Sequence, residues 1–179
     1  MKSLYLAAAL VFASFGVAQA QANDPQNTLV METPHGEVTI ALRPDLAPGH
    51  AERLVTLTRQ GFYDGVPFHR VIEGFMAQTG DPTGTGMGSS ELPDLQAEFS
   101  REPFVRGAVG MARAQSPHSA NSQFFIVYGD AAWLNGDYTY IGQVVSGMEA
   151  VDAIRKGDVE GGMVTNPDRI VSMTVLADR

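Results

Sequence analysis

The chain contains no cysteine. Disulfide staples, thiolate nucleophiles and sulfur metal ligands are excluded together. Histidine is scarce as well: His35, His50, His69 and His118 stand far apart, without the HExxH or other short spacing that gathers metal ligands. Neither a metal site nor a cofactor is expected. Positive charge is the third shortage, with 12 Lys and Arg against 20 Asp and Glu and a formal net charge of -8. The clustered basic side chains that a phosphate backbone demands are missing, so nucleic acid is not an expected partner. No serine lies in a G-x-S-x-G elbow. The stretch 81–90, DPTGTGMGSS, lacks the Gly-Lys-Ser/Thr ending of a phosphate loop and reads as a long flexible loop.

What is present suits one domain. With 179 residues, 44% hydrophobic and 18% charged, the chain can fill a single core but is short for two. Its first twenty residues differ from the rest. Lys2 gives a positive start, an apolar run follows from Leu4 to Val17, and Ala18-Gln19-Ala20 supplies the small-x-small pattern of a cleavage site. The run is shorter than the roughly 20 residues a bilayer span needs, and no second positive cluster follows it. Residues 1–20 are therefore expected to be a signal peptide, with a second register after Ala22. Losing Lys2 leaves 11 basic against 20 acidic residues. No stable membrane anchor is expected after cleavage, and a lipid anchor would need the missing cysteine. The leader and the small acidic mature domain point to a bacterial periplasm.

Residues 21–27 read as a short linker. The stretches 28–33 and 37–42 alternate like strands on either side of Pro34-His35-Gly36, which predicts a hairpin. Ala51, Leu54, Val55 and Thr58 recur at helical spacing, with Pro48 at the start and Gly61 past the end, which predicts a helix over 48–60. Short apolar runs at 68–72, 75–79, 109–112, 124–127 and 141–145 are broken by glycine and proline, as in an all-β sheet. A second helix is predicted over 148–156 and a last strand over 170–176. That makes about eight strands and two helices, mainly β. Periodicity alone does not separate a sandwich from a barrel.

Three segments carry more. Residues 68–81 read FHRVIEGFMAQTGD, Met111-Ala112-Arg113 follows, and Ser122-Gln123-Phe124-Phe125-Ile126 comes next. With Trp133-Leu134-Asn135-Gly136 and Ile141-Gly142-Gln143-Val144, these resemble the signature of the cyclophilin family in order and register from about residue 28 to 176. The resemblance implies a closed eight-stranded antiparallel barrel capped by two helices over 28–179, and catalysis of rotation about X-Pro bonds. It also implies roles. Arg70 matches the catalytic arginine; Phe75, Met76, Phe125, Leu134 and Tyr138 match the proline pocket; Gln78, Arg113 and Gln123 match polar contacts to the substrate backbone. Ala112 and Trp133 match further groove positions. Tyr138 and Arg113 depart from the histidine and asparagine that many members carry there. The implied partners are proline-containing peptides, unfolded exported proteins and cyclosporin-like inhibitors, met by a monomer.

These residue types suit such a reaction. Amide resonance sets a barrier of roughly 18–20 kcal/mol, so uncatalysed X-Pro exchange takes tens to hundreds of seconds. Reaching milliseconds requires lowering that barrier by about 5–6 kcal/mol. A fixed cationic donor beside the imide nitrogen stabilises the twisted amide more than either planar form. Arg70 can be that donor, and Gln78 can orient it, because its amide offers both donor and acceptor. Two other functions are open. The domain could hold proline peptides as a chaperone module with little catalysis, or carry a small apolar ligand in a deep closed cavity.

Overall fold

Thr33 closes the first hairpin. Its Oγ1 donates to the Gly36 carbonyl at 2.8 Å and accepts from the His35 amide at 3.1 Å, which closes the expected hairpin of β1 (Thr28–Thr33) and β2 (Gly36–Leu42), with Thr28 opposite Ala41. The computed structural model describes residues 24–179. The expected leader and both cleavage registers therefore lie outside the described residues. The described part of the linker is a 3-10 turn at Pro25–Asn27, capped by Asp24.

Six further strands follow: β3 (Arg70–Ile72), β4 (Met76–Thr79), β5 (Ala108–Met111), β6 (Phe124–Val127), β7 (Tyr140–Ser146) and β8 (Ser172–Val175). All eight join one antiparallel sheet in the order β3-β4-β6-β5-β7-β2-β1-β8. The register slips where β7 meets β2 and again where it meets β5. Irregularities of this kind increase local twist and bend the sheet.

The expected closed barrel is corrected to an open one. No ladder joins β3 to β8 among the described residues. The flanking segments meet instead, through an isolated bridge between Pro67 and Arg169 and backbone bonds from Phe68 to Asp168 and from Ile170 to Val66. Pro67 and Pro167 sit at this seam, and neither has an N–H to give a continuous ladder. Each outer edge has other partners: the Gly157 amide donates to the Val71 carbonyl on β3, and the Met173 amide on β8 donates to Asp64.

Alternation along the strands sorts side chains into two clusters. Phe124, Ile126, Val109, Met111, Ala77 and Ile141 point into the main core. Their neighbours Phe125, Val127, Ala108, Met76 and Tyr140 point outward and form a second cluster with Phe104, Ala131 and Leu134. The sheet thus has an apolar outer patch ready to become a groove floor.

Helix α1 (Pro48–Arg59) packs Ala51, Leu54 and Leu57 against the main core. Its N-cap, Ala47, has no capping side chain. Glu98 takes that role from a distant loop, accepting from the Gly49 and His50 amides and from the His50 ring at 2.5 Å. Helix α2 (Met148–Asp152) is shorter than expected. Lys156 folds back to donate to the Asp152 and Ile154 carbonyls, satisfying the end of the helix where a further turn would have continued.

Candidate active site

Three neighbouring strands align the site. On β3 Val71 turns inward, so Arg70 faces out; on β4 Ala77 and Thr79 turn inward, so Gln78 faces out. Register places Arg70 opposite Gln78, and Gln78 opposite Phe125 on β6. A cation, an amide and an aromatic ring therefore stand side by side on one face.

Beside them lies a groove of about 450 Å³. Phe75, Met76, Phe125 and Leu134 line it, with Ala112, Arg113, Trp133 and Tyr138 completing the walls. Leu134 and Trp133 come from a 3-10 turn at Ala132–Leu134. Phe75 and Trp133 lie 5.4 Å apart between ring centres, and Trp133 is 64% exposed, so this wall is open to a ligand. Phe125 meets Tyr138 edge-on at 5.8 Å and stacks on Phe104 at 5.9 Å, which holds its ring upright.

The Arg70 guanidinium is held without an ion pair. Its Nε donates to the Gly161 carbonyl at 2.8 Å and its Nη1 to Gln78 Oε1 at 3.3 Å. Among the described residues it has no carboxylate partner, Glu73 included, and its Nη2 has no hydrogen bond. The cation keeps donors for something else.

The other polar residues are already engaged. Gln123 lies beside the groove, with its Oε1 accepting from Gln78 at 2.9 Å and its Nε2 donating to the Gly86 and Gly88 carbonyls. Arg113 sits 4.6 Å over the Tyr138 ring and donates to the Asp137, Ala114 and Gln115 carbonyls. It braces the wall as a cation–π partner.

Several contributors escaped the sequence reading. Gly161 supplies the carbonyl for Arg70, Met163 lines the groove, and Asp81 organises the loop that was expected to be flexible. Of these only Asp81 left a trace, as the last residue of the FHR…GD segment. His69 lines the groove floor but is buried, with neither ring nitrogen hydrogen-bonded. Among the described residues no group of His, Asp and Glu could hold a metal ion.

His69 and His50 give the fold a pH dependence. Burial pushes both imidazoles below their ordinary value, outweighing the nearby carboxylates of Asp81 and Glu98. The unfolded chain binds protons at these sites below about pH 6.5 while the folded chain does not, so stability is full above that value and falls as the pH drops toward the folded-state values. The unfolding free energy from urea titrations should therefore decline on acidification from pH 7, with a limiting slope of about 1.4 kcal/mol per pH unit for each histidine, and the midpoint should fall with it. A midpoint unchanged between pH 7 and pH 5 would contradict this.

Comparison with known proteins agrees with this geometry. The family model for cyclophilin type peptidyl-prolyl cis-trans isomerase/CLD matches residues 28–175. The chain belongs to the cyclophilins. It is accordingly a peptidyl-prolyl cis-trans isomerase, as its relatives are named. A probable peptidyl-prolyl cis-trans isomerase of Brucella suis is 53% identical over 191 residues, covering 99% of this chain and 97% of the relative. The Arabidopsis thaliana isomerase CYP65 is 41% identical over 72% of this cyclophilin, which spans 22% of that longer protein. Among solved structures, cyclophilin AquaCyp293 from Hirschia baltica superposes with a TM-score of 0.78 at 25% identity, covering 95% of this chain and 83% of that one. A Cryptosporidium parvum cyclophilin described in the presence of the dipeptide Ala-Pro gives 0.76 at 28% identity, covering 83% and 98%.

Proposed function

We propose that this cyclophilin isomerises X-Pro bonds in exported, unfolded proteins, with Arg70 as the catalytic donor. The carrying observation is a guanidinium with unused donors beside an apolar groove. In this reading the proline ring rests on Phe75, Met76, Phe125 and Leu134, out of water, while the preceding carbonyl swings. The Nη2 group donates to the imide nitrogen as it becomes pyramidal, which favours the twisted amide over either planar form. Gln78 keeps the guanidinium in its plane. Trp133 and Tyr138 bound the groove for peptides and for cyclosporin-like inhibitors. The Ala-Pro named for the Cryptosporidium parvum protein supports a proline-peptide ligand. The leader-like residues 1–20 support export to the periplasm.

One preparation tests both parts. Protein recovered from the periplasm should have a mass lacking residues 1–20 or 1–22. Trp133 is the only tryptophan, so its fluorescence should respond to added Ala-Pro, and Phe125→Ala should abolish the response. A retained leader would overturn export; an unresponsive tryptophan in protein that turns over proline peptides would overturn the groove assignment.

A further inference from the structure

Asp81 is buried two residues past β4, and among the described residues it makes no ion pair. Its carboxylate gathers the loop that follows. Oδ1 accepts from the Thr83 amide and hydroxyl, both at 2.7 Å, and Oδ2 from the Gly86 amide at 2.6 Å and the Gly88 amide at 3.1 Å. The fit is tight: a Cβ added at Gly88 would collide with Asp81 Oδ1 and Thr83. Burial alone would raise the Asp81 pKa, but these hydrogen bonds outweigh it and hold the carboxyl below the usual carboxylate range.

The loop then dictates two amide orientations. Gly86 and Gly88, whose N–H groups both bond Asp81, also offer their carbonyls to Gln123, and carbonyls accept only donors. Gln123 must therefore offer Nε2 to the loop and Oε1 to Gln78. Gln78 must in turn offer Nε2 to Gln123, which leaves its Oε1 for Arg70 Nη1. A reversed Gln78 amide would aim N–H groups at the guanidinium, and a reversed Gln123 amide would aim them at the N–H groups of Gln78.

We infer that Asp81 is a positioning residue for catalysis, setting the plane of the Arg70 guanidinium through the 86–88 loop, Gln123 and Gln78. The inference rests on Arg70 being the catalytic donor. Asparagine at 81 has the same shape but one acceptor oxygen, so it cannot receive both the Thr83 pair and the Gly86–Gly88 pair. The loop carbonyls lose their fixed direction, and Gln78 is free to reverse.

The test is a double-mutant cycle on a proline tetrapeptide. Asp81→Asn should lower kcat about tenfold, the worth of one hydrogen bond, with KM within about twofold. In an Arg70→Ala background it should cost nothing further, because a residue acting through Arg70 has nothing left to position. The Arg70 Nη proton signals, kept distinct while Gln78 holds one side, should merge in Asp81→Asn. Should Asp81→Asn not fold, Gly88→Ala displaces the same carboxylate and should give the same pattern. Wild-type kcat in the Asp81 or Gly88 variant, or an equal loss in both backgrounds, would overturn the inference while leaving Arg70 in place. Arg70→Ala turning over at the wild-type rate would instead overturn the assignment beneath it.

Discussion

Arg70→Ala should slow isomerisation of a proline tetrapeptide by about 10²–10³-fold, the usual cost of removing one preorganised donor from developing charge. The loss should fall on kcat. The groove proposed to hold the proline ring is lined by Phe75, Met76, Phe125 and Leu134, apolar side chains that the substitution leaves in place. Stability should change little, because Arg70 is half-buried and its side chain makes two hydrogen bonds among the described residues, to Gly161 and Gln78. Arg70→Lys should recover only part of the rate, since an ammonium keeps the charge but not the planar fork that engages Gly161, Gln78 and substrate together. Protease-coupled kinetics with parallel thermal melts would measure all of this. Equal rates for wild type and Arg70→Ala would remove Arg70 from the catalytic role.

The second large effect separates two adjacent rings. Phe124 is fully buried in the main core, edge-on to Tyr63 at 5.6 Å, so Phe124→Ala should cost about 3–5 kcal/mol of stability. Phe125 points to the opposite face and forms the groove wall. Phe125→Ala should destabilise less and raise KM more, because that ring lines the groove proposed to hold the proline. Urea denaturation beside steady-state kinetics gives both numbers for each variant. A larger stability loss for Phe125→Ala, with KM unchanged, would mean that the strand faces have been assigned the wrong way round.

That assignment shows where sequence reading reached and where it stopped. The hairpin over β1 and β2 and the helix α1 were legible because their signals are local: a turn of Pro34-His35-Gly36, a proline entry, a glycine exit. Arg70, Gln78 and Phe125 were legible as a group only through resemblance, since strand pairing brings together residues 8 and 45 or more positions apart, and no local pattern reports it. The closed barrel was inferred from the same resemblance, and Pro67 and Pro167 decided otherwise at a junction whose two halves lie about a hundred residues apart. Glu98 capping α1, and Gly161 holding Arg70, are also long-range partnerships of ordinary residues. Nothing in the composition of a loop marks which carbonyl will find a guanidinium. Asp81 was in plain view within its segment, but a carboxylate that collects backbone amides looks, in sequence, like any polar residue after a strand.

The open seam also bears on what this molecule can safely touch. An exposed sheet edge is a template that extended segments of other chains can join. Here prolines deny such a segment its donors at the junction, backbone from the loop near Gly157 already occupies one border of the sheet, and Asp64 takes an amide along the other. An extended segment that reaches these stretches of the sheet's borders therefore finds their hydrogen-bonding groups missing or already engaged.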